Sequence, residues 1–384
     1  ISACLVGSEM CIRDRDWAVQ DGGLPNPQLG FPANYTANPA LQHALDQFFS
    51  NAVGPQGKRL QDWFAGAWAH VAARFRSNRW VLGYELFNEP FPGSTWATCA
   101  NTMGCPEFDS ELTALYHRTA AAIRTADSHT LIWYEPNVLF NDGVKTNVAA
   151  LGDPHAGFAF HDYCLSEGET GAQGCDTFDD MVFANALGHV SQTGEALMMT
   201  EYGSTTDVTY LDDMVARADR QMVPWLEWSY CACRSPTDTG QPGIVDDPSK
   251  PPTASNQVAG TLGALVEPFP QVISGTPVSW GFDRTTKTFT FKYSIARASG
   301  HGRFPTGSVT AIAAPARVYG GRYVVRVVGG AVVSRPGSSE LVVASCRRAT
   351  SLTITVIPSR RYRSQGSCRL RRPGARAGQR PGSH

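Results

Sequence analysis

Two glutamates close short apolar runs in this chain. Glu89 stands in Leu86-Phe87-Asn88-Glu89-Pro90, and Glu201 in Met198-Met199-Thr200-Glu201-Tyr202-Gly203. Two carboxylates held about 5 Å apart can cut a glycosidic bond with retained configuration. One attacks the anomeric carbon while the other protonates the departing oxygen. A lone glutamate at a strand end is more often a cap or ion-pair residue. The inference therefore rests on the pair and on the elements that would bring its members together.

Those elements show in the hydrophobic pattern. Between residues 56 and 76, Leu60, Trp63, Phe64, Ala67, Trp68, Val71, Ala72 and Phe75 fall at helical spacing. The apolar run 80–84 then leads to Glu89 and reads as a buried strand ended by a proline loop. A helix is predicted over 106–126 and a strand over 130–134, ending at Glu135-Pro136. Further strands are predicted over 158–163, 196–202 and 223–230, and helices over 176–193, 207–221 and about 256–266. The helix between Glu135 and Phe158 is only faintly marked. Strand and helix alternate as in a parallel sheet, and at 384 residues the α/β class with a (β/α)8 TIM barrel follows. In that fold the C-terminal strand ends form the active face, where Glu89 and Glu201 both lie.

Five strands are countable, numbers four to eight of such a barrel. The region before Gln56 supplies Trp17, Pro25, Pro27 and Pro32, a loop-like composition, so the first three strands are expected to be missing from this sequence. Residues 4–15 carry neither strand nor helix pattern and resemble translated adapter sequence. Segment 1–15 is therefore expected to be non-native. Residues 16–274 form the expected partial barrel. After Gly275 come short alternating runs at 278–282, 287–293, 307–312, 323–328, 341–344 and 352–357, the pattern of a small antiparallel β-sandwich over 275–357.

Composition bounds the function. Hydrophobic residues make up 42% and charged residues 17%, enough apolar content for a core. No run of about 18 apolar residues marks a membrane span. Net charge is −1, but residues 358–384 hold eight Arg and no acid, which leaves −9 on the rest. An acidic body argues against a nucleic-acid-binding enzyme, and the basic end reads as a disordered tail. Of the ten Cys, Cys99 and Cys105 form one close pair and Cys164 and Cys175 another, both in loop-like segments. Such pairs staple surface loops in secreted proteins, so a secreted location is expected. Cys231 and Cys233 lack the second knuckle that a zinc site needs. With no metal motif and no phosphate loop, no cofactor is expected.

The Asn88-Glu89-Pro90 and Thr200-Glu201-Tyr202-Gly203 motifs resemble those of clan A glycoside hydrolases, family 5 in particular. The longer run from Gly83 to Gly93, GYELFNEPFPG, resembles the endoglycoceramidase branch, as does a β-sandwich following the barrel. The likeness extends from about Asp16 to Ala344. It implies that Glu89 is the acid/base and Glu201 the nucleophile, with Asn88 bonding the sugar 2-hydroxyl. It also implies that Tyr163 hydrogen-bonds the nucleophile and helps keep it ionised, and that Trp228 floors the sugar site. His161-Asp162-Tyr163 matches a family His-x-Tyr, and positions two apart share a strand face, so His161 and Tyr163 should enter the pocket together. Glu85 reads as a structural carboxylate, Glu135 as second rank because no Asn precedes it, and Glu227 as facing away from Trp228. The Arg and His that the family places on strands two and three have no counterpart here, so turnover is expected of the full gene product and not of these residues alone.

The implied substrate is a glycosphingolipid cut between glycan and ceramide, with Phe91, Trp96, Leu139 and Phe140 as candidate walls of an apolar trough. The alternatives are a polysaccharide endo-β-glycanase (glucanase or mannanase) and a non-catalytic glycan- or lipid-binding protein. A monomer, touching membrane surfaces transiently, is the expected form.

Overall fold

The computed structural model describes residues 18–101, 103–164, 175–231 and 243–368. The chain divides into two compact units. The first comprises residues 1–210 and 223–259, the second residues 211–222 and 260–384.

In the first unit, β1 (Gly83–Glu85), β2 (Leu131–Tyr134), β3 (Ala156–Asp162) and β4 (Ala196–Tyr202) form one parallel sheet in that order. Parallel neighbours need crossovers, and helices Pro106–Arg124 and Asp176–Thr193 supply two of them. β3 is buried at all seven positions, as expected of a strand covered on both faces. The run expected as a further strand over 223–230 does lie parallel to β4, through bridges at Met199–Trp225 and Gly203–Trp228. It stays a bridged segment, and Pro224 can accept a bond from Met199 but has no N–H to donate. Between Glu135 and Phe158 the faint helix reduces to the 3-10 segment Val138–Asp142.

The region before Gln56 is not the loop its prolines suggested. It holds helices Ala33–Ala37 and Pro39–Phe49. Asn38 caps the second by accepting the Leu41 N–H at 3.1 Å, and Pro39 occupies the first turn, where no N–H is needed. The helix buries Leu41, Leu45, Phe48 and Phe49. Phe48 and Phe49 meet Phe87 at ring distances of 5.6 and 5.4 Å, and Phe64 meets it at 5.8 Å. Phe87 lies two residues before Glu89, so this aromatic cluster anchors the chain where it enters the site. Truncating such a buried ring costs about 3–5 kcal/mol.

Two disulfides join the expected partners, Cys99 with Cys105 and Cys164 with Cys175. The second ties the residue after Tyr163 to the start of helix Asp176–Thr193. No helix among the described residues is long and apolar enough to cross a membrane.

The second unit is a pair of sheets. One has the order β10-β11-β8-β5, from Gly330–Val332, Glu340–Ser345, Val309–Ala313 and Phe269–Val272. The other has the order β13-β9-β12-β7-β6, from Arg363–Gln365, Tyr323–Val328, Ser351–Pro358, Thr288–Ser294 and Thr276–Asp283. Alternation along β7 and β12 puts Phe289, Phe291, Tyr293, Leu352, Ile354 and Val356 into one core. The disordered tail expected from residue 358 does not begin there. β13 adds in parallel to β9, and Cys368 is bonded to Cys346. The short arginine-flanked run carries no strand periodicity of its own; backbone pairing and the disulfide hold it. Residues 369–384 and 1–17 lie outside the described residues.

In the first unit Asp127 locks the base of the sheet. It accepts the N–H groups of His129 and Thr130 at 3.0 Å each, the Thr130 hydroxyl at 2.7 Å and the Tyr84 hydroxyl at 2.8 Å. Burial pushes its carboxyl up, but these donors win and hold it well below the usual range. A depressed carboxyl stabilises the fold above its unfolded pKa, and that stability is lost as pH falls. Asp127→Ala should therefore cost about 1–3 kcal/mol at neutral pH, with the difference shrinking in acid. Removing the exposed Asp62–Arg118 pair should cost under about 1 kcal/mol. Urea unfolding at two pH values checks both.

Candidate active site

The chain leaves β1 through Leu86 and Phe87 and turns sharply at Glu89, whose φ is +46°. A left-handed conformation costs a glutamate about 1–3 kcal/mol and must be held by its surroundings. Glu135, the residue after β2, accepts the Glu89 N–H at 3.0 Å. Asn88 stands exposed beside it.

Glu201 lies within β4. The β3–β4 register shifts between Phe160 and His161, so that His161 pairs with Glu201. A bulge of this kind re-aims side chains at the end of a strand. His161 Nδ1 lies 2.9 Å from Glu89 Oε1 and 3.5 Å from Glu201 Oε2. Donor atoms of Glu89, His161 and Glu201 all lie within 4.8 Å of one another. The two carboxylates thus approach as in a retaining pair, about 5–5.5 Å, and closer than the roughly 6.5–9.5 Å of an inverting one. Donor atoms at this spacing could also share a cation, but the hydrogen bonds joining them suit a site that moves protons.

Tyr163 donates its hydroxyl to Glu201 Oε2 at 2.8 Å. His161 and Tyr163 do share a face, with ring centroids 6.3 Å apart. Trp228 is 39% exposed, and its backbone bridges Gly203, two residues beyond Glu201. The structure therefore gathers Glu89, Glu201, His161 and Tyr163 directly and sets Asn88 and Trp228 on the adjoining segments. Glu85 accepts the Thr200 hydroxyl at 2.7 Å. The trough fares differently. Phe91 and Phe140 are 5% and 2% exposed and belong to the core, because each packs among neighbouring rings.

Burial shapes the charges here. It pushes the Glu201 carboxyl up, as does the charge of Glu89, while His161 and the Tyr163 hydroxyl pull it down, and the result is about 6. For His161 burial favours the neutral ring. The carboxylates of Glu135, Glu89 and Glu201 outweigh it and push the imidazole up to about 10, so it is cationic at neutral pH. Burial and the charges of Glu85 and Glu89 drive Glu135 well above the carboxylate range, against the pull of His161. Burial alone sets Glu227 at about 7.

Two contributors were not read from the sequence as site residues. Glu135 has the Glu-Pro of the Glu89 motif, and that repetition was the available signal. Tyr35 lies in the proline-rich region, where no local pattern marks it. Burial and the Glu89 charge push its hydroxyl up, and it packs on Phe91 at 4.9 Å.

Known proteins share this arrangement of elements. Residues 44–234 match the family model described as cellulase (glycosyl hydrolase family 5), and residues 268–356 match the glycoside hydrolase family 5 C-terminal domain. Endoglycoceramidase I of Rhodococcus hoagii (strain 103S) is 28% identical over 87% of this chain and 62% of its own length. Endoglycoceramidase of Cyanea nozakii is 21% identical over 76% and 60%. The chain thus spans about 60% of the length of these curated relatives. Endo-glycoceramidase II from Rhodococcus sp. has a TM-score of 0.72 at 26% identity, covering 89% of this chain and 74% of its own. Other structures of that protein hold ganglioside GM3 and a lactosyl-enzyme intermediate. Both matched models describe parts of one family, and together they take in most of the described residues: the chain belongs to glycoside hydrolase family 5.

Proposed function

We propose that this chain carries the machinery of a retaining glycosidase that cleaves glycosphingolipids between glycan and ceramide. The approach of the Glu89 and Glu201 carboxylates to within 4.8 Å carries the reaction type. The endoglycoceramidases among its relatives, one of them holding ganglioside GM3, carry the substrate class.

In the first step the Glu201 carboxylate attacks the anomeric carbon. The glycosidic C–O bond breaks, and Glu89 gives its proton to the leaving oxygen. Glu89, now a carboxylate, takes a proton from water as that water opens the glycosyl ester and frees Glu201. The His161 cation at 2.9 Å steadies Glu89 while it is charged. Asn88 is assigned the sugar 2-hydroxyl and Trp228 the floor of the sugar site. Catalysis is assigned to residues 16–274, with the β-sandwich of 275–357 as an accompanying domain. The second unit holds 21 Lys and Arg against 6 Asp and Glu, which supports transient contact with anionic membrane surfaces. The disulfides support an extracellular location.

The family model's description as cellulase favours a second reading, a polysaccharide endo-β-glycanase. Product analysis separates the two. The first requires intact oligosaccharide plus ceramide from a fluorescent ganglioside and no digestion of soluble β-glucan; the second requires the reverse.

Three outcomes are expected of the full-length protein. Proton NMR of the first-formed sugar should show retained configuration, and inversion would refute the mechanism. Glu201→Gln should lower kcat on the order of 10³-fold or more, whereas Glu89→Gln should lose far less kcat/KM on substrates with good leaving groups. The rate should fall as pH drops through about 6, where Glu201 takes up a proton. Tyr163→Phe removes a bond that favours the ionised carboxyl, so this acid limb should move to higher pH; a limb that stays or moves down would contradict the assignment.

A further inference from the structure

We propose that Glu135 is a positioning residue for the acid/base, gripping Glu89 both by its backbone and, through His161, by its carboxyl group. The inference rests on the reading of Glu89 as that acid/base.

The contacts form a closed circuit. Glu135 Oε2 accepts the Glu89 N–H at 3.0 Å and lies 3.5 Å from His161 Nε2. The opposite ring nitrogen, Nδ1, lies 2.9 Å from Glu89 Oε1. One carboxylate oxygen therefore sets both the left-handed turn that aims Glu89 and the ring that touches its side chain. Glu135 is itself held. Tyr116 donates its hydroxyl to the Glu135 carbonyl oxygen at 2.8 Å, and Asn137 donates to Asp109 at 3.0 Å.

Packing does not explain a carboxyl group at this place. Glu135 is 2% exposed, and its Oε1 has no hydrogen-bond partner among the described residues. Removing such a group from water is costly. A Gln could accept the Glu89 N–H equally well but could not place negative charge against His161. That charge has a use. His161 faces Glu89, Glu201 and Glu135, with a Glu85 oxygen within 4.8 Å of both the imidazole and Glu135 and the Tyr163 ring alongside. Glu135 and Glu89 both oppose the effect of burial in keeping the imidazole cationic, and that cation in turn favours the ionised Glu135 carboxyl against burial and the charges of Glu85 and Glu89. A doubly protonated ring donates Nδ1–H to Glu89 and Nε2–H toward Glu135. When Glu89 gives up its proton to the leaving oxygen, the Nδ1–H bond comes to join two opposite charges and strengthens. Stabilisation that grows along the reaction raises kcat rather than tightening ground-state binding.

The test uses the full-length protein and aryl β-glycosides from dinitrophenyl (a good leaving group) to phenyl (a poor one). Glu135→Ala should lower kcat/KM on the phenyl glycoside about 100-fold, the low end of what acid catalysis supplies. On the dinitrophenyl glycoside kcat/KM, which reports the first step alone, should stay within about threefold. Glu135→Gln keeps the backbone bond and should recover part of the phenyl rate. It should also lower the His161 titration midpoint, read by NMR of the imidazole, by at least about one unit. Equal losses on both glycosides with an unmoved His161 midpoint would overturn the proposal and leave Glu135 merely structural. If Glu135→Ala does not fold, the Gln variant decides by the same two readouts. If the unaltered protein turns over no glycoside, the glycosidase reading fails, and the His161 midpoint alone decides whether Glu135 governs the ring.

Discussion

Four carboxyl groups, Glu85, Glu89, Glu135 and Glu201, crowd the C-terminal end of one parallel sheet, and the His161 imidazole stands among them. In water such a cluster would simply ionise. Here burial and mutual repulsion forbid four charges at once. The cluster must either hold protons or surround a cation, and it does both. His161 stays charged, burial pushes the Glu135 carboxyl up against the pull of that cation, and Glu201 is poised near 6. A group that must attack and a group that must donate can coexist at neutral pH only where their surroundings differ. Tyr163 donates to the Glu201 carboxylate, while the nearer nitrogen of His161 lies against Glu89.

The fold enters because such crowding is unstable unless rigid elements enforce it. Parallel pairing of β1 to β4 brings the strand ends to one side, and the register shift at His161 turns its ring toward both glutamates. Phe48, Phe49 and Phe64 fix Phe87 just before the turn, and the Cys164–Cys175 disulfide fixes the chain just after Tyr163. The apolar interior is thus arranged to hold polar groups where they would not otherwise remain.

Much of this was legible in the residues. The periodicity at Leu60, Phe64 and Ala72 marked a helix, and the Asn88-Glu89-Pro90 and Thr200-Glu201-Tyr202 motifs marked the two strand ends. Two-residue alternation identified His161 and Tyr163 as partners, since a strand leaves them no other choice. What escaped has physical causes. Helix Pro39–Phe49 follows a run of prolines whose local signal masked its apolar stripe. Phe91 and Phe140 are apolar loop residues, and sequence alone does not distinguish a ring that lines a trough from one that fills the core. Strand Arg363–Gln365 has no apolar face, and it exists because β9 offered an open edge. The weight of Glu135 lies in a contact between residues 46 positions apart, which no local pattern encodes.

The central claim is that Glu201 forms the covalent bond and Glu89 only moves protons. Incubating the full-length protein with a 2-deoxy-2-fluoro glycoside that bears a good leaving group slows hydrolysis of any glycosyl ester enough for peptide mass mapping. A sugar mass found on the peptide containing Glu201, and absent from the one containing Glu89, is the predicted result. A label on Glu89, or turnover with no labelled carboxylate, would contradict it.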